Sequence, residues 1–91
     1  MSERRGYRVT GRVQGVGFRW WTWKIAESLG LEGTVRNARD GSVEVRAAGS
    51  PEALDRFESL LRDGPRGAQV DRLERTEPGE DPFPTGFTIA R

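Results

Sequence analysis

The sequence has 91 residues, enough for one hydrophobic core and too few for a second. Apolar residues make up 34% and charged residues 32%, a modest core beneath a heavily charged surface, and no apolar run reaches the length of a membrane span. Cysteine and histidine are both absent, which removes disulfides, thiolate and imidazole metal sites, cysteine nucleophiles, imidazole bases and phosphohistidine together. Any hydrolysis must run on water, guanidinium, amides, hydroxyls or carboxylates. The formal net charge is +1 but unevenly spread: residues 4–24 carry Arg4, Arg5, Arg8, Arg12, Arg19 and Lys24 and no acid. That clustering predicts a positive field able to attract a small anion. A generally arginine-rich composition, in which Lys24 is the single lysine, is the alternative source of the total. No secretory pattern opens the chain, and a cytoplasmic location is expected.

Tyr7, Val9, Gly11 and Val13 alternate with Arg8, Thr10 and Arg12, the signature of a first strand with one buried face. A loop with two glycines follows, Gln14-Gly15-Val16-Gly17-Phe18, and then Arg19. A helix starts near residue 20, with Trp21, Ile25 and Leu29 at i, i+4, i+8, Ala26 alongside, and Gly30 as its C′ residue. Three tryptophans in four positions cannot all face a core, so Trp20 or Trp23 is expected to be half exposed, lining the rim of the loop or a neighbouring groove. Residues 33–39 read as a second strand, Asp40-Gly41 as a hairpin turn and residues 42–47 as a third strand. Ser50 at N-cap and Pro51 at N1 open a second helix whose buried stripe is Leu54, Phe57, Leu60 and Leu61, ended by Asp63-Gly64-Pro65. A fourth strand spans residues 69–76, a Pro- and Gly-rich loop 78–86, and a short last strand 87–90.

The order is strand, helix, strand given twice, with a tail strand. This βαββαβ pattern predicts an α+β ferredoxin-like sandwich as a single domain over residues 1–91. Its antiparallel sheet would run 4-1-3-2, with a short C-terminal edge strand added. Both helices would lie on one face, leaving the other to water. Fold alone does not specify function.

The chemistry concentrates in the glycine loop. Glycines at 15 and 17 allow successive amides to point inward as a nest for oxygen ligands, and the following helix adds its N-terminal partial charge. Arg19 can present a planar fork to two oxygens of one anion. The loop fits neither the Walker A pattern nor the dinucleotide fingerprint. A tight turn without a ligand is the plainer reading of such a loop. Asn37, shortly before the Asp40-Gly41 turn, is open to two readings as well. It either stabilises the hairpin or reaches the loop, and spacing alone does not decide between them.

The stretch from Gly11 to Arg19 (GRVQGVGFR), with Gly33-Thr34-Val35-Arg36-Asn37 and Asp40-Gly41-Ser42-Val43-Glu44-Val45, closely resembles the acylphosphatase family, and the likeness continues through Gly64-Pro65 and Gly86-Phe87. The resemblance implies a ferredoxin-like fold and hydrolysis of carboxyl-phosphate anhydrides. It assigns phosphate binding to Arg19 and to the amides of Gly15, Val16, Gly17, Phe18 and Arg19. Orientation of the attacking water falls to Asn37, and a supporting place after the turn to Ser42, where relatives often carry threonine. Thr34 and Ala38 depart from the family pattern, the second beside Asn37. The implied partners are a small acyl phosphate and inorganic phosphate as product or inhibitor, acting on a monomer with no cofactor and no metal.

Two other readings are distinguishable. A nucleic-acid module on this fold would show stacking aromatics on its middle strands, whereas the third strand offers Glu44 and Arg46 outward. A non-catalytic anion-sensing domain would share the loop, since related modules occur within larger proteins that process carbamoyl phosphate. Neither nucleic acid nor membrane is expected as a partner.

Overall fold

A computed structural model describes residues 2–90. The elements run β1 (Glu3–Arg12), α1 (Phe18–Ser28), β2 (Glu32–Asn37), β3 (Val43–Gly49), α2 (Pro51–Asp63), β4 (Gln69–Thr76) and β5 (Phe87–Ile89). They form a two-layer α+β sandwich whose five-stranded sheet has the order β4-β1-β3-β2-β5. The expected order therefore holds, with β5 as the added edge strand. One feature of the sheet corrects the expectation of an all-antiparallel arrangement. β1 pairs antiparallel with β3 and β4, and β2 with β3, but β5 pairs parallel with β2 through Gly33–Phe87, Thr34–Thr88 and Val35–Ile89.

The reason is topological. β4 and β5 lie at opposite edges, so the intervening residues must cross three strands, and a crossing of the open face delivers β5 parallel to its neighbour. Residues 77–86 make that crossing. Arg46, outward on β3, holds the segment by donating from Nε to the Pro78 carbonyl at 2.5 Å and from Nη2 to the Asp81 carbonyl at 2.6 Å. Phe83 of the same segment lies 4.2 Å from the Arg46 guanidinium carbon and 4.9 Å from that of Arg4, ring centroid to carbon. The open face is thus partly covered rather than left to water.

The core lies between sheet and helices. Tyr7, Val9, Val35, Val43, Val45 and Ala47 supply the sheet side, and Leu54, Phe57 and Leu61 the α2 side. Each fully buried Leu or Phe contributes about 1.5–3 kcal/mol by leaving water. Leu60, expected in the stripe, sits at its half-buried margin. α2 starts as its sequence dictates, the Ser50 hydroxyl accepting from the Ala53 amide at 3.1 Å with Pro51 in the first turn.

In α1 the buried stripe is Phe18, Thr22 and Ala26. The expected Trp21, Ile25 and Leu29 pack partly buried at the core's edge instead. The two rows are neighbours on the helix surface. Small side chains at 22 and 26 let the helix backbone approach the sheet, which the bulkier row would prevent. Trp21 then covers Phe18 with ring centroids 5.4 Å apart, Trp23 donates from Nε1 to the Phe87 carbonyl at 3.0 Å, and Trp20 is left exposed. Among the described residues no helix is long and apolar enough to cross a membrane.

Candidate active site

β1 delivers the chain to residue 13, buried beneath the sheet end, and α1 begins only at Phe18, so residues 14–17 must reverse direction in four steps. Gly15 and Gly17 make this possible with φ of +76° and +75°. A Cβ at either position would meet nothing within 4 Å, so it is backbone conformation and not crowding that calls for glycine. Gly17 is the N-cap of α1, and the first helical bond runs from the Trp21 amide to its carbonyl at 3.0 Å.

The consequence is a row of uncommitted donors. Among the described residues, the amides of Gly15, Val16, Gly17, Phe18 and Arg19 donate to no other backbone or side-chain group. No acidic side chain stands in the first turn of α1 to neutralise its N-terminal partial charge. Loop curvature and helix end together favour an oxygen-rich anion.

Arg19 leaves the first turn of α1 and its Nη1 donates to the Ala90 carbonyl at 3.3 Å. β5 runs back along α1: Trp23 reaches the carbonyl of Phe87 and Arg19, one turn earlier, that of Ala90. One edge of the Arg19 guanidinium is thereby held, and the rest of its donor fork stays available.

Asn37 closes β2. Its Oδ1 is buried and has no hydrogen-bond partner among the described residues. A buried, unpaired amide oxygen costs about 1–3 kcal/mol unless something donates to it, which makes this atom the point where a ligand or water is called for. Gly15, Gly17, Phe18, Arg19 and Asn37 line one concavity of about 200 Å³, closed by Val13, Trp20 and Ile89. The loop and the strand end, whose proximity spacing could not decide, are brought together.

Gln14 couples them. Its Nε2 donates to the Ala38 carbonyl at 2.8 Å and the Ser42 carbonyl at 2.9 Å, joining the glycine loop to both sides of the β2–β3 turn. Ser42 itself lies behind the concavity, buried. Its hydroxyl and amide donate to Asp40 Oδ1 at 2.6 and 3.0 Å. These bonds from Ser42, with the nearby Arg8 guanidinium, hold the Asp40 carboxyl below the usual carboxylate range. Val16 points away from the concavity and packs half-buried on the core.

Gln14, Ile89 and Ala90 are site neighbours that sequence reasoning did not assign, whereas Trp20 stands at the rim as its spacing suggests. Gln14 had a signal, a lone polar side chain entering a glycine turn. Ile89 and Ala90 had none, since only the tertiary path of β5 brings them to Arg19.

A larger hollow of about 400 Å³ lies under the 77–86 segment on the other sheet face. Its arginines are engaged: Arg8 pairs with Asp40, Arg36 with Glu44, and Arg46 donates to two backbone carbonyls. It offers no free donor set comparable to the loop. Among the described residues no group of three or more acidic side chains is placed to hold a metal ion.

Comparison with known proteins agrees with this geometry. The acylphosphatase family model matches residues 5–89. An acylphosphatase of Nitratidesulfovibrio vulgaris is 49% identical over 88 residues, covering 94% of this chain and 88% of its own, and one of Alkalilimnicola ehrlichii is 47% identical over 89 residues, covering 98% and 99%. The crystal structure of acylphosphatase from Bacillus subtilis superposes with a TM-score of 0.89 at 33% identity over the whole of both chains. With the family model spanning residues 5–89 and nearly its whole length matched by these proteins, the chain belongs to the acylphosphatase family.

Proposed function

We propose that the chain hydrolyses the carboxyl-phosphate bond of small acyl phosphates, with the phosphoryl group held by the amides of residues 15–19 and by Arg19, and the water aimed by Asn37. The observation that carries this reading is the shared concavity: Gly15, Gly17, Phe18 and Arg19, whose amides are uncommitted, line it together with the Arg19 guanidinium and Asn37, whose amide oxygen is buried and unpaired. A water donating one hydrogen to Asn37 Oδ1 presents its lone pair to phosphorus. The new O–P bond forms as the P–O bond to the acyl group breaks, and the carboxylate leaves with the bonding pair. The water's proton passes to a phosphoryl oxygen. Carboxylate is a good leaving group, so no strong acid is needed. Phosphoryl transfer depends mainly on positioning and on stabilising charge at the equatorial oxygens, which the amides and Arg19 supply. Asn37 orients and does not act as a base. Ser42 supports the site through the turn that Gln14 grips.

The protein acts on this reading as a single domain over residues 1–91, a cytoplasmic monomer without cofactor, with inorganic phosphate as product and competitive inhibitor. Nucleic acid is not a partner, because the open sheet face that would stack bases is crossed by residues 77–86 and Arg46 is engaged there.

Turnover of acetyl and benzoyl phosphate, with and without chelator, tests the proposal. Arg19→Ala and Asn37→Ala should each lower kcat/KM by at least about 100-fold, ~2.7–4 kcal/mol or more, while circular dichroism stays native. Arg19→Lys should fail as well, because a point charge does not reproduce the fork. Wild-type turnover in either alanine variant removes that residue from the site.

A further inference from the structure

Two large hydrophobic side chains stand exposed among the described residues, Trp20 at 57% and Ile89 at 40%. Both line the concavity that holds Arg19 and Asn37. They come from segments about seventy residues apart, and each leaves the core for a local reason. Trp20 lies off the Phe18–Thr22–Ala26 row of α1. Ile89 is two residues beyond Phe87 on the same face of β5, beside Val35 of β2 but on the open edge of the sheet. Exposed apolar side chains are ordinary when scattered; here the pair coincides at the rim of one polar cradle. Trp20 is also held: the Lys24 ammonium, one turn on, lies 5.0 Å from its ring centroid. Such a contact limits the ring's freedom and lowers the cost of fixing it against a ligand.

We propose that Trp20 and Ile89 form an apolar subsite for the acyl portion of the substrate, selecting acyl phosphates with an aromatic or branched acyl group over acetyl phosphate. The inference rests on the proposed hydrolysis and deepens it. In-line displacement starts from water at the buried Asn37 oxygen, so the leaving carboxylate departs toward the exposed mouth, where these two side chains stand. An apolar acyl group docked there covers both side chains and removes their surface from water. The gain is realised away from phosphorus and serves to orient the anhydride.

The test is the ratio of kcat/KM for benzoyl phosphate to that for acetyl phosphate, in wild type, Trp20→Ala, Ile89→Ala and Trp20→Phe. Wild type should favour the benzoyl substrate. Trp20→Ala should cut the ratio about five- to tenfold, mainly through KM, and Ile89→Ala about two- to threefold, with Trp20→Phe close to wild type. Phenylphosphonate should likewise lose its advantage over methylphosphonate as an inhibitor of Trp20→Ala. Both side chains are exposed, so the variants are expected to fold. A ratio unchanged in both alanine variants overturns the subsite and leaves the phosphate site standing. A wild-type protein that hydrolyses neither substrate overturns both.

Discussion

Replacing Gln14 with methionine keeps the length of the side chain and removes its two donors. The loss can be worked from the neighbours. Each of the two hydrogen bonds, at 2.8 and 2.9 Å, is worth about 0.5–1.5 kcal/mol net in a half-buried setting. Neither acceptor is orphaned by the change. The Ala38 carbonyl keeps the Gly41 amide at 3.2 Å, and the Ser42 carbonyl keeps the Ala38 amide at 2.8 Å. The penalty for a bare buried carbonyl therefore does not apply, and the expected loss is about 1–3 kcal/mol with no orphaned-acceptor cost added. Urea unfolding reads it as a lower midpoint at unchanged slope. Turnover should fall further than stability alone explains, about tenfold or more in kcat, because the amide row and Asn37 lose their common register. An unchanged midpoint would refute the energetic argument. A lower midpoint with wild-type kcat would show that Gln14 holds the fold without aligning the site.

The acid limb of stability should be set by Asp40 and Glu58. Ser42 and Arg8 lower Asp40; at Glu58 burial pushes upward but Arg75 and Arg62 outweigh it, so both carboxyls titrate below their unfolded values. Their contribution is complete above the ordinary carboxylate range and is lost as pH falls through it, so the Tm should drop between about pH 5 and about pH 2. Burial raises the Tyr7 phenol above its ordinary 10.0, so its contribution is present below that pH and lost as pH rises past it. A Tm flat on both limbs contradicts these assignments. Gly17→Ala should remain folded, with a strain of about 1–3 kcal/mol from φ +75° and no steric clash, but should bind phosphate more weakly by calorimetry. Gly33→Ala should not fold by circular dichroism, since its Cβ would lie 1.8 Å from the Arg46 carbonyl oxygen across the strand pair.

Much of this fold is written in local pattern. The Ser50-Pro51 start, the Asp40-Gly41 turn and the alternation of residues 43–47 each follow from chemistry within a few positions. Ala26 is buried as expected, but the rest of the α1 stripe departs from the sequence pattern because hydrophobicity ranks Trp21, Ile25 and Leu29 above Thr22, whereas close approach to a sheet rewards small side chains. The parallel pairing of β5 was not legible either, since it depends on which edge remains after four strands have taken their places. At the site, the donors announce themselves through Gly15, Gly17 and Arg19. Their alignment with Asn37 does not, because it passes through Gln14 to two carbonyls whose positions only the hairpin fixes.

The path of β5 ties the anchoring of Arg19 to a long-range closure in the chain. Arg19 is steadied by a carbonyl 71 positions later, and the Ala90 amide is itself secured to Val35 at 2.8 Å. Loop-closure entropy makes contacts of that separation slow to form. On the proposed role of Arg19, a chain in which β5 has yet to pair with β2 carries the amide row but leaves its guanidinium unanchored, so full hydrolysis would await the docking of β5.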